Sequence, residues 1–243
     1  MKAVILAAGQ GTRLRPLTLE TPKPMLELGG QPILETISRQ LAHYGFTEII
    51  ITSHYLSEKI EAYLPNLQSK LPNQVLVRHE PQDQLMGTSG GLSSIRGLGD
   101  EGAFLVMNGD LISTLNFKAI MDYHRERCPA LTVGRYSAVQ QIRLGVLETD
   151  ANGNLLNYLE KPNMTFQVSM GVYIYEPFVL EHVPPHDWQD APNLIMELVK
   201  MGHTVATYPF DGEWLDMGTH EDFAVADKAL RSEKRSSYLP DEG

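Results

Sequence analysis

The chain has 243 residues, and its 42% hydrophobic fraction fits one globular α/β domain with a substantial core. Its formal net charge of −10 means that the protein surface as a whole should repel nucleic acid and anionic membranes. A phosphate-bearing ligand would therefore need a locally basic pocket within an acidic exterior.

The cysteine content and the apolar runs indicate the compartment. Cys128 is the single cysteine, so an internal disulfide is excluded, and a reducing environment suits a free thiol. No apolar run has the length of a signal peptide or of a membrane span. We therefore expect a cytoplasmic protein without a membrane partner.

The first half of the chain predicts alternating strands and helices. Consecutive apolar residues predict buried strands, and apolar residues three or four positions apart predict helices. The predicted strands are residues 2–8, 48–52, 74–79 and 103–110, and the predicted helices are residues 33–44, 57–64 and 92–98. This alternation is typical of right-handed βαβ units around a mostly parallel sheet.

The second half predicts strands with shorter connections. The predicted strands are residues 130–136, 145–150, 155–162, 168–177 and 204–210, and the predicted helices are residues 191–201 and a last helix from about 220. The Asn-Gly pair at 152–153 predicts a hairpin turn. We expect Asp190 to cap the helix at 191–201, and we expect Thr219 and Asp222 to form a capping box at the start of the last helix. The polar residues 231–243 are expected to be solvated.

A Gly-rich loop follows the first predicted strand. Gly9 and Gly11 let main-chain N–H groups approach phosphate oxygens, and Arg13 offers planar donors for the same oxygens. Lys23 adds a compact positive charge between two prolines. The third glycine of a dinucleotide fingerprint and the Gly-Lys-Ser/Thr of a Walker A loop are both absent. Gly9-x-Gly11 alone fits an ordinary strand–helix turn equally well.

The complete stretch is more specific. LAAGQGTRLRPLTLETPKPM, residues 6–25, resembles the signature of the sugar-1-phosphate nucleotidyltransferase family, the nucleoside-diphosphate-sugar pyrophosphorylases. Later motifs follow in the family's order over nearly the whole chain. The sequence resembles the short form of this family, since it carries no hexapeptide repeats of the left-handed β-helix that many members have.

The resemblance implies both a fold and a reaction. The implied fold is a three-layer α/β/α, Rossmann-like domain with a central mixed, mostly parallel sheet. One domain over residues 1–243 would contain a nucleotide-binding half at about 1–112 and a sugar-phosphate-binding half at about 113–235. The implied reaction joins a nucleoside triphosphate to a sugar 1-phosphate and releases pyrophosphate.

The resemblance also implies the nucleotide site. The residues concerned are Leu6, Ala8, Gly9, Gly11, Thr12, Arg13, Gln82, Gly87 and Thr88. Arg13 would hold the triphosphate, and Lys23 would stabilise charge around the α-phosphate. The Gln82 amide can donate and accept together, which suits uracil or thymine and favours UTP or dTTP. Relatives that transfer a guanylyl group often have Glu at this position.

Two aspartates are candidate ligands of Mg²⁺. Asp110 ends the fourth predicted strand, and Asp216 precedes the last predicted helix. Either residue alone fits a turn or capping role, but both match the metal-ligating aspartates of the family. Asp110 therefore joins Arg13 and Lys23 as an expected catalytic residue. Sequence separation cannot show that the two carboxylates converge.

The resemblance places the sugar phosphate on Gly145, Glu160, Lys161 and Ser169. Glu160 would accept the sugar hydroxyls, and Lys161 would bind the phosphate. Two positions depart from the family pattern. Leu144 stands where an aromatic residue is common, and Ser169 stands where Asn is usual, so the identity of the sugar stays open.

Several alternatives remain at this point. A GTP-using guanylyltransferase of the mannose-1-phosphate type and a non-catalytic nucleotide-sugar-binding relative share the motifs. A glycosyltransferase would need an Asp-x-Asp motif, which the sequence lacks. A transferase for a non-sugar phosphate such as phosphocholine is chemically close. A homodimer is compatible with the sequence.

Overall fold

We describe the fold from a computed structural model that covers residues 1–72, 76–81, 83–95, 102–185 and 187–239. The strands are β1 (Lys2–Ala7), β2 (Glu27–Leu28), β3 (Gln31–Pro32), β4 (Glu48–Ser53), β5 (Leu76–Pro81), β6 (Phe104–Asn108), β7 (Leu111–Ser113), β8 (Leu131–Gln141), β9 (Gly145–Thr149), β10 (Leu155–Glu160), β11 (Asn163–Tyr175), β12 (Val205–Phe210) and β13 (Trp214–Asp216). The helices are α1 (Ile33–His43), α2 (Ser57–Ser69), α3 (Gly87–Gly90), α4 (Phe117–Arg127), α5 (Ala191–Lys200), α6 (His220–Leu230) and α7 (Arg235–Tyr238). Short 3-10 helices lie at Thr12–Leu14, Lys23–Met25, Gly91–Ile95 and Pro177–His182.

Seven strands form one mixed sheet in the order β12-β8-β11-β6-β1-β4-β5. The pairs β1–β4, β1–β6, β4–β5 and β8–β12 are parallel. β11 is antiparallel to both of its neighbours, β6 and β8. Two-stranded ladders join β2 with β3, β7 with β13, and β9 with β10. The expected mixed, mostly parallel sheet is confirmed.

Side chains on opposite faces of the sheet enter two separate cores. Ala3 and Ile5 of β1 pack in a core with apolar residues of α1, α2, α4 and α6. Val4, which lies between them, packs in a second core with apolar residues of α5 and two 3-10 helices. Because successive strand residues point to opposite faces, this alternation produces the three layers of the predicted α/β/α architecture.

Two predicted helices have different bounds in the structure. α2 continues past Leu64 to Ser69 with Pro65 inside it, because Leu67 beyond the proline is fully buried and its packing outweighs the local cost. The helix expected at 92–98 is a set of short turns that begin at Gly87 and run to Ile95. The rest of that predicted helix lies outside the described residues.

The two predicted caps have different outcomes. Thr219 and Asp222 form the expected capping box at α6. Asp190 occupies the N-cap position of α5, but its side chain accepts no hydrogen bond from that helix. Instead the Ala191 N–H donates to Thr88 Oγ1 at 2.8 Å, and Asp190 Oδ1 accepts from the Thr88 N–H at 3.2 Å. The prediction of Asp190 as the N-cap residue is confirmed, but the expected side-chain bond to the helix was wrong because the carboxylate turns toward α3.

The C-terminal segment packs against the domain. Tyr238 of α7 is only 2% exposed, its hydroxyl donates to Glu213, and its carbonyl accepts from Gln40 Nε2 at 2.5 Å. The expectation of a solvated tail was therefore wrong for this helix, because a buried aromatic residue anchors a polar sequence. The remainder of the tail, 240–243, lies outside the described residues.

No helix in the described ranges has the length and hydropathy that a membrane crossing requires. The predicted hairpin is present, with β9 and β10 antiparallel and Gly153 at φ 85°. The division of the chain into a nucleotide half and a sugar half stays a prediction.

Gly109 marks a close approach between the ends of β1 and β6. Its N–H donates to the Leu6 carbonyl at 2.8 Å. A Cβ at Gly109 would lie 2.8 Å from the same carbonyl oxygen and 3.3 Å from Pro24 Cγ. Backbone contacts of this kind cannot be relieved by a side-chain rotation, so the site requires glycine.

We expect Gly109→Ala to lower the free energy of unfolding by about 1–3 kcal/mol, the usual cost of overpacking. Urea unfolding of both variants measures this loss. Gly9→Ala is the matched control, because a Cβ at Gly9 would meet no atom within 4 Å. An equal loss in the two variants would show that the close approach is unimportant.

Candidate functional site

A cavity of about 330 Å³ lies beyond the carboxyl ends of β1 and β6, where open α/β sheets bind ligands. Its lining residues are Leu6, Ala7, Ala8, Gly9, Gly11, Thr12, Arg13, Leu14, Lys23, Pro24, Leu85, Gly87, Thr88, Asn108, Gly109, Asp110, Trp188, Asp190 and Gly218. The cavity therefore collects eight of the nine predicted nucleotide-binding residues. The ninth, Gln82, lies outside the described residues.

The Gly-rich loop holds its shape through local contacts. Gly11 has φ 61°, a left-handed conformation that favours glycine, and its carbonyl accepts from Thr18 Oγ1 at 2.8 Å. A 3-10 helix follows at Thr12–Leu14, and Leu14 is buried to 1% exposure. The burial of Leu14 anchors the turn that carries its neighbour Arg13 to the cavity wall.

Lys23 and Asp110 form an ion pair at the cavity wall. The Lys23 Nζ lies 2.5 Å from Asp110 Oδ2, and the Lys23 residue is 7% exposed. A 3-10 helix after Pro22 directs Lys23 inward. A lysine buried to this degree needs a charged partner, and Asp110 supplies it.

The ladder between β7 and β13 brings the second aspartate to the first. Asp216 pairs with Leu111, the residue after Asp110, and the Met217 N–H donates to the Asp110 carbonyl at 3.1 Å. Asp216 is exposed to solvent. Its pKa is nevertheless raised, because partial desolvation of the carboxylate and the negative charge of Asp110 outweigh the positive charges of Lys23 and Arg13. The two predicted metal ligands therefore converge.

Asp110 and Asp216 have the chemistry of a magnesium site that a substrate would complete. Within the described ranges, no group of three or more His, Cys, Asp or Glu residues is arranged to hold a metal ion by itself. Magnesium typically takes one or two carboxylates and fills its remaining positions with water and phosphate oxygens. A pair of carboxylates beside a Gly-rich loop with Arg13 and Lys23 fits that pattern.

The predicted sugar-phosphate residues lie apart from the cavity. Gly145 begins β9, Glu160 ends β10, and Lys161 follows with its Nζ 3.6 Å from Glu160 Oε1. The side chains of Glu160 and Lys161 are about 60% exposed. Of the residues that the structure describes, the cavity lining includes none of these three, nor Ser169.

A bulge in β11 brings Gly171, two residues after Ser169, against Asn108, which lines the cavity. The register of β11 against β8 shifts between Ser169 and Tyr173, and Gly171 within the shift has φ 71°. A Cβ at Gly171 would lie 2.7 Å from Nδ2 of Asn108, a residue that lines the cavity. Ser169 Oγ donates to the Tyr173 hydroxyl at 3.1 Å.

The sequence analysis missed Trp188 and Asp190 as cavity residues. They arrive from the segment before α5, far along the chain from the Gly-rich loop. Trp188, one of two tryptophans in the chain, is 55% exposed. A tryptophan within the polar run His186–Asp190 was the available signal, because such a side chain is costly to leave in water.

Comparison with known proteins agrees with this geometry. Residues 2–233 match the nucleotidyl transferase family. The UTP–glucose-1-phosphate uridylyltransferase of Synechocystis is 31% identical over 96% of this chain and 64% of its own length. A mannose-1-phosphate guanylyltransferase catalytic subunit beta of Drosophila pseudoobscura pseudoobscura is 32% identical over 98% of this chain and 65% of its own length. The chain thus spans slightly less than two thirds of these relatives.

A solved structure confirms the fold. A Bacillus anthracis protein described as a glucose-1-phosphate thymidylyltransferase superposes with a TM-score of 0.76 at 22% identity, with 96% of each chain covered. The family match over nearly the whole chain, the relatives above 30% identity and this superposition lead to one conclusion. The chain belongs to the nucleotidyl transferase family.

Proposed function

We propose that this chain transfers a nucleotidyl group from a nucleoside triphosphate to a sugar 1-phosphate, forming a nucleoside-diphosphate-sugar and pyrophosphate. The observation that carries the proposal is the Lys23–Asp110 ion pair in a cavity that a Gly-rich loop lines, with Asp216 next to Asp110 and outside the cavity lining. Phosphoryl chemistry uses cations to stabilise the charge of the phosphates and carboxylates to hold a metal ion, and this arrangement supplies both. The relatives named above support the same class of reaction.

The chain needs no nucleophilic side chain for this reaction. The phosphate of the acceptor is an anion at neutral pH, and its oxygen attacks the α-phosphorus in line. The new P–O bond forms as the bond from the α-phosphorus to the bridging oxygen of the β-phosphate breaks. Pyrophosphate leaves with that electron pair. The protein contributes position and electrostatic stabilisation.

Lys23 and Arg13 would stabilise the negative charge on the phosphates. Asp110 holds Lys23 in position at the cavity wall, so that little reorganisation would be needed when negative charge develops on the phosphates. Arg13 approaches Gly218 near the same carboxylates, since a Cβ at Gly218 would lie 3.4 Å from an Arg13 terminal nitrogen. Arg13 can engage two phosphate oxygens at once.

Asp110 and Asp216 would hold Mg²⁺. When bound, the ion would neutralise charge on the α-phosphate and on the departing pyrophosphate. The raised pKa of Asp216 supports this assignment, because a carboxylate destabilised by partial desolvation and by a like charge gains from a nearby cation. Lys23 shares Asp110 and so links the phosphate site to the proposed metal site.

The hairpin of β9 and β10 would bind the acceptor, the sugar 1-phosphate. Lys161 is a cation for the sugar phosphate, and Glu160 is an acceptor for sugar hydroxyls. Gly145 and Ser169 would lie along the same surface, and Ser169 precedes the Gly171 bulge, which approaches the cavity residue Asn108. The exposure of this hairpin fits a substrate that must enter and leave.

The base proposal remains UTP or dTTP, based on Gln82. The relatives do not separate the choices, since one is named for UTP and one for GTP. A guanylyltransferase of the mannose-1-phosphate type is the alternative. The experiment below decides between them and also tests the reaction itself.

We expect pyrophosphate release that depends on one sugar 1-phosphate when UTP, dTTP, GTP, CTP and ATP are crossed with a panel of sugar 1-phosphates and Mg²⁺. A coupled phosphate assay measures the rate. Preference for GTP would overturn the Gln82 proposal alone. Silence across the panel, with tight binding of a nucleotide-sugar, would make the chain a sensor and overturn the enzymatic proposal.

We expect Lys23→Ala to lower kcat at least about 100-fold, the scale of losing one transition-state contact. Lys118→Ala is the matched control, because Lys118 also lies 2.5 Å from its partner Asp122 but is 60% exposed and outside the cavity. The control should keep wild-type kcat. Near wild-type turnover in Lys23→Ala would remove Lys23 from the proposed mechanism.

We expect excess EDTA to abolish pyrophosphate release and added Mg²⁺ to restore it. Asp110→Asn and Asp216→Asn should raise the Mg²⁺ concentration required for half-maximal activity, because each removes a charged ligand. The exposed Asp122→Asn is the control and should leave that concentration unchanged. Full turnover in excess EDTA would contradict the metal assignment.

A further inference from the structure

Trp188 presents a large apolar ring to the cavity. The residue is 55% exposed and lines the cavity together with Leu85, Gly87, Thr88 and Asp190. An exposed indole ring leaves apolar area in water, which a planar ligand would cover. The cavity therefore contains a stacking surface in addition to its phosphate-binding loop.

Hydrogen bonds fix the orientation of this ring. Trp188 Nε1 donates to Asp190 Oδ2 at 3.2 Å. The other carboxylate oxygen, Asp190 Oδ1, accepts from the Thr88 N–H at 3.2 Å. The indole is thus tied through one carboxylate to the helix α3 on the cavity wall, so little rotamer freedom remains to be lost on binding.

The backbone that carries Trp188 is also tied to α3. The N–H groups of Ser89 and Gly90 both donate to the Gln189 carbonyl, at 2.9 and 3.0 Å, and the Gln189 N–H donates to the Met86 carbonyl at 3.0 Å. A Cβ at Gly87 would lie 2.6 Å from the Gln189 carbonyl oxygen. All of these contacts are within the chain, so the packing of the protein itself holds the stacking surface in place.

The charges in the cavity decide which part of a nucleotide meets Trp188. Lys23 and Arg13 lie with Asp110 and Asp216 at the phosphate-binding loop. The carboxylate beside Trp188 belongs to Asp190 and would repel a phosphate. A triphosphate on the cationic side therefore directs the uncharged base toward the indole.

We propose that Trp188 stacks on the base of the nucleoside triphosphate, and this inference rests on the proposed function. Every nucleobase has an aromatic face, so stacking adds affinity without choosing between bases. Trp188 would then set the KM for the triphosphate, and selection between bases would depend on other contacts. Asp190 is a positioning residue, because it orients the ring and does not face the phosphates.

The test compares KM values in Trp188→Ala and Trp188→Phe. We expect Trp188→Ala to raise the KM for UTP about 5- to 150-fold, the range for loss of one base–aromatic stack. The KM for the sugar 1-phosphate and kcat should change less than about twofold. Trp188→Phe should retain most of the affinity, because phenyl also stacks. Phe178→Ala removes a 38% exposed aromatic residue outside the cavity and should change neither KM.

Inorganic tripolyphosphate separates stacking from a structural effect. It carries the phosphates without a base, so its inhibition constant should be the same in wild type and in Trp188→Ala. An equal loss for tripolyphosphate and UTP would overturn the inference, and so would a rise confined to the sugar 1-phosphate. Either result would leave the proposed function in place.

Fluorescence tests the inference without turnover. UTP added without an acceptor should quench the emission of the wild type and should not quench Trp188→Phe, which retains Trp214. Quenching with no pyrophosphate release for any acceptor would support the stacking and overturn the proposed reaction. Pyrophosphate release from UTP without quenching of Trp188 would overturn the stacking and leave the reaction.

Discussion

The ladder between β7 and β13 is the interaction on which the site depends. It joins strands that are about a hundred residues apart in sequence and sets Asp216 beside Asp110. Asp110 in turn holds Lys23, and Lys23 lies on the segment that follows the Gly-rich loop. One short pairing therefore connects the proposed metal site to the proposed phosphate site, because Asp110 lies beside Asp216 and also holds Lys23.

The charges explain how an acidic protein could bind the proposed anionic substrate. The net charge of −10 repels polyanions at long range, whereas Arg13 and Lys23 act inside a cavity where water is partly excluded. Asp110 and Asp216 place two carboxylates beside these two cations, and desolvation together with the like charge of Asp110 raises the pKa of Asp216. The same group can thus bind phosphate and the proposed Mg²⁺ together.

Close contacts at three glycines determine the shape of the cavity. Gly109 brings β6 against β1, Gly87 brings α3 against the segment before α5, and Gly171 brings β11 against Asn108. In each case a Cβ would lie within 2.9 Å of a neighbouring atom. The walls are therefore fixed by packing before any ligand arrives, which suits a reaction that depends on position and electrostatics.

The sequence by itself determined the local features of this protein. Consecutive apolar residues predicted the buried strands β1, β4 and β6, and the signature at 6–25 predicted the phosphate-binding loop and the family, because both depend on residues close together in the chain. Only the tertiary structure decided contacts between distant segments. It turned Asp190 from its helix to Thr88, buried Tyr238 in a polar tail, and brought Trp188 into the cavity. Neither periodicity nor a local motif records such contacts, since each depends on which side chain across the fold offers the better partner.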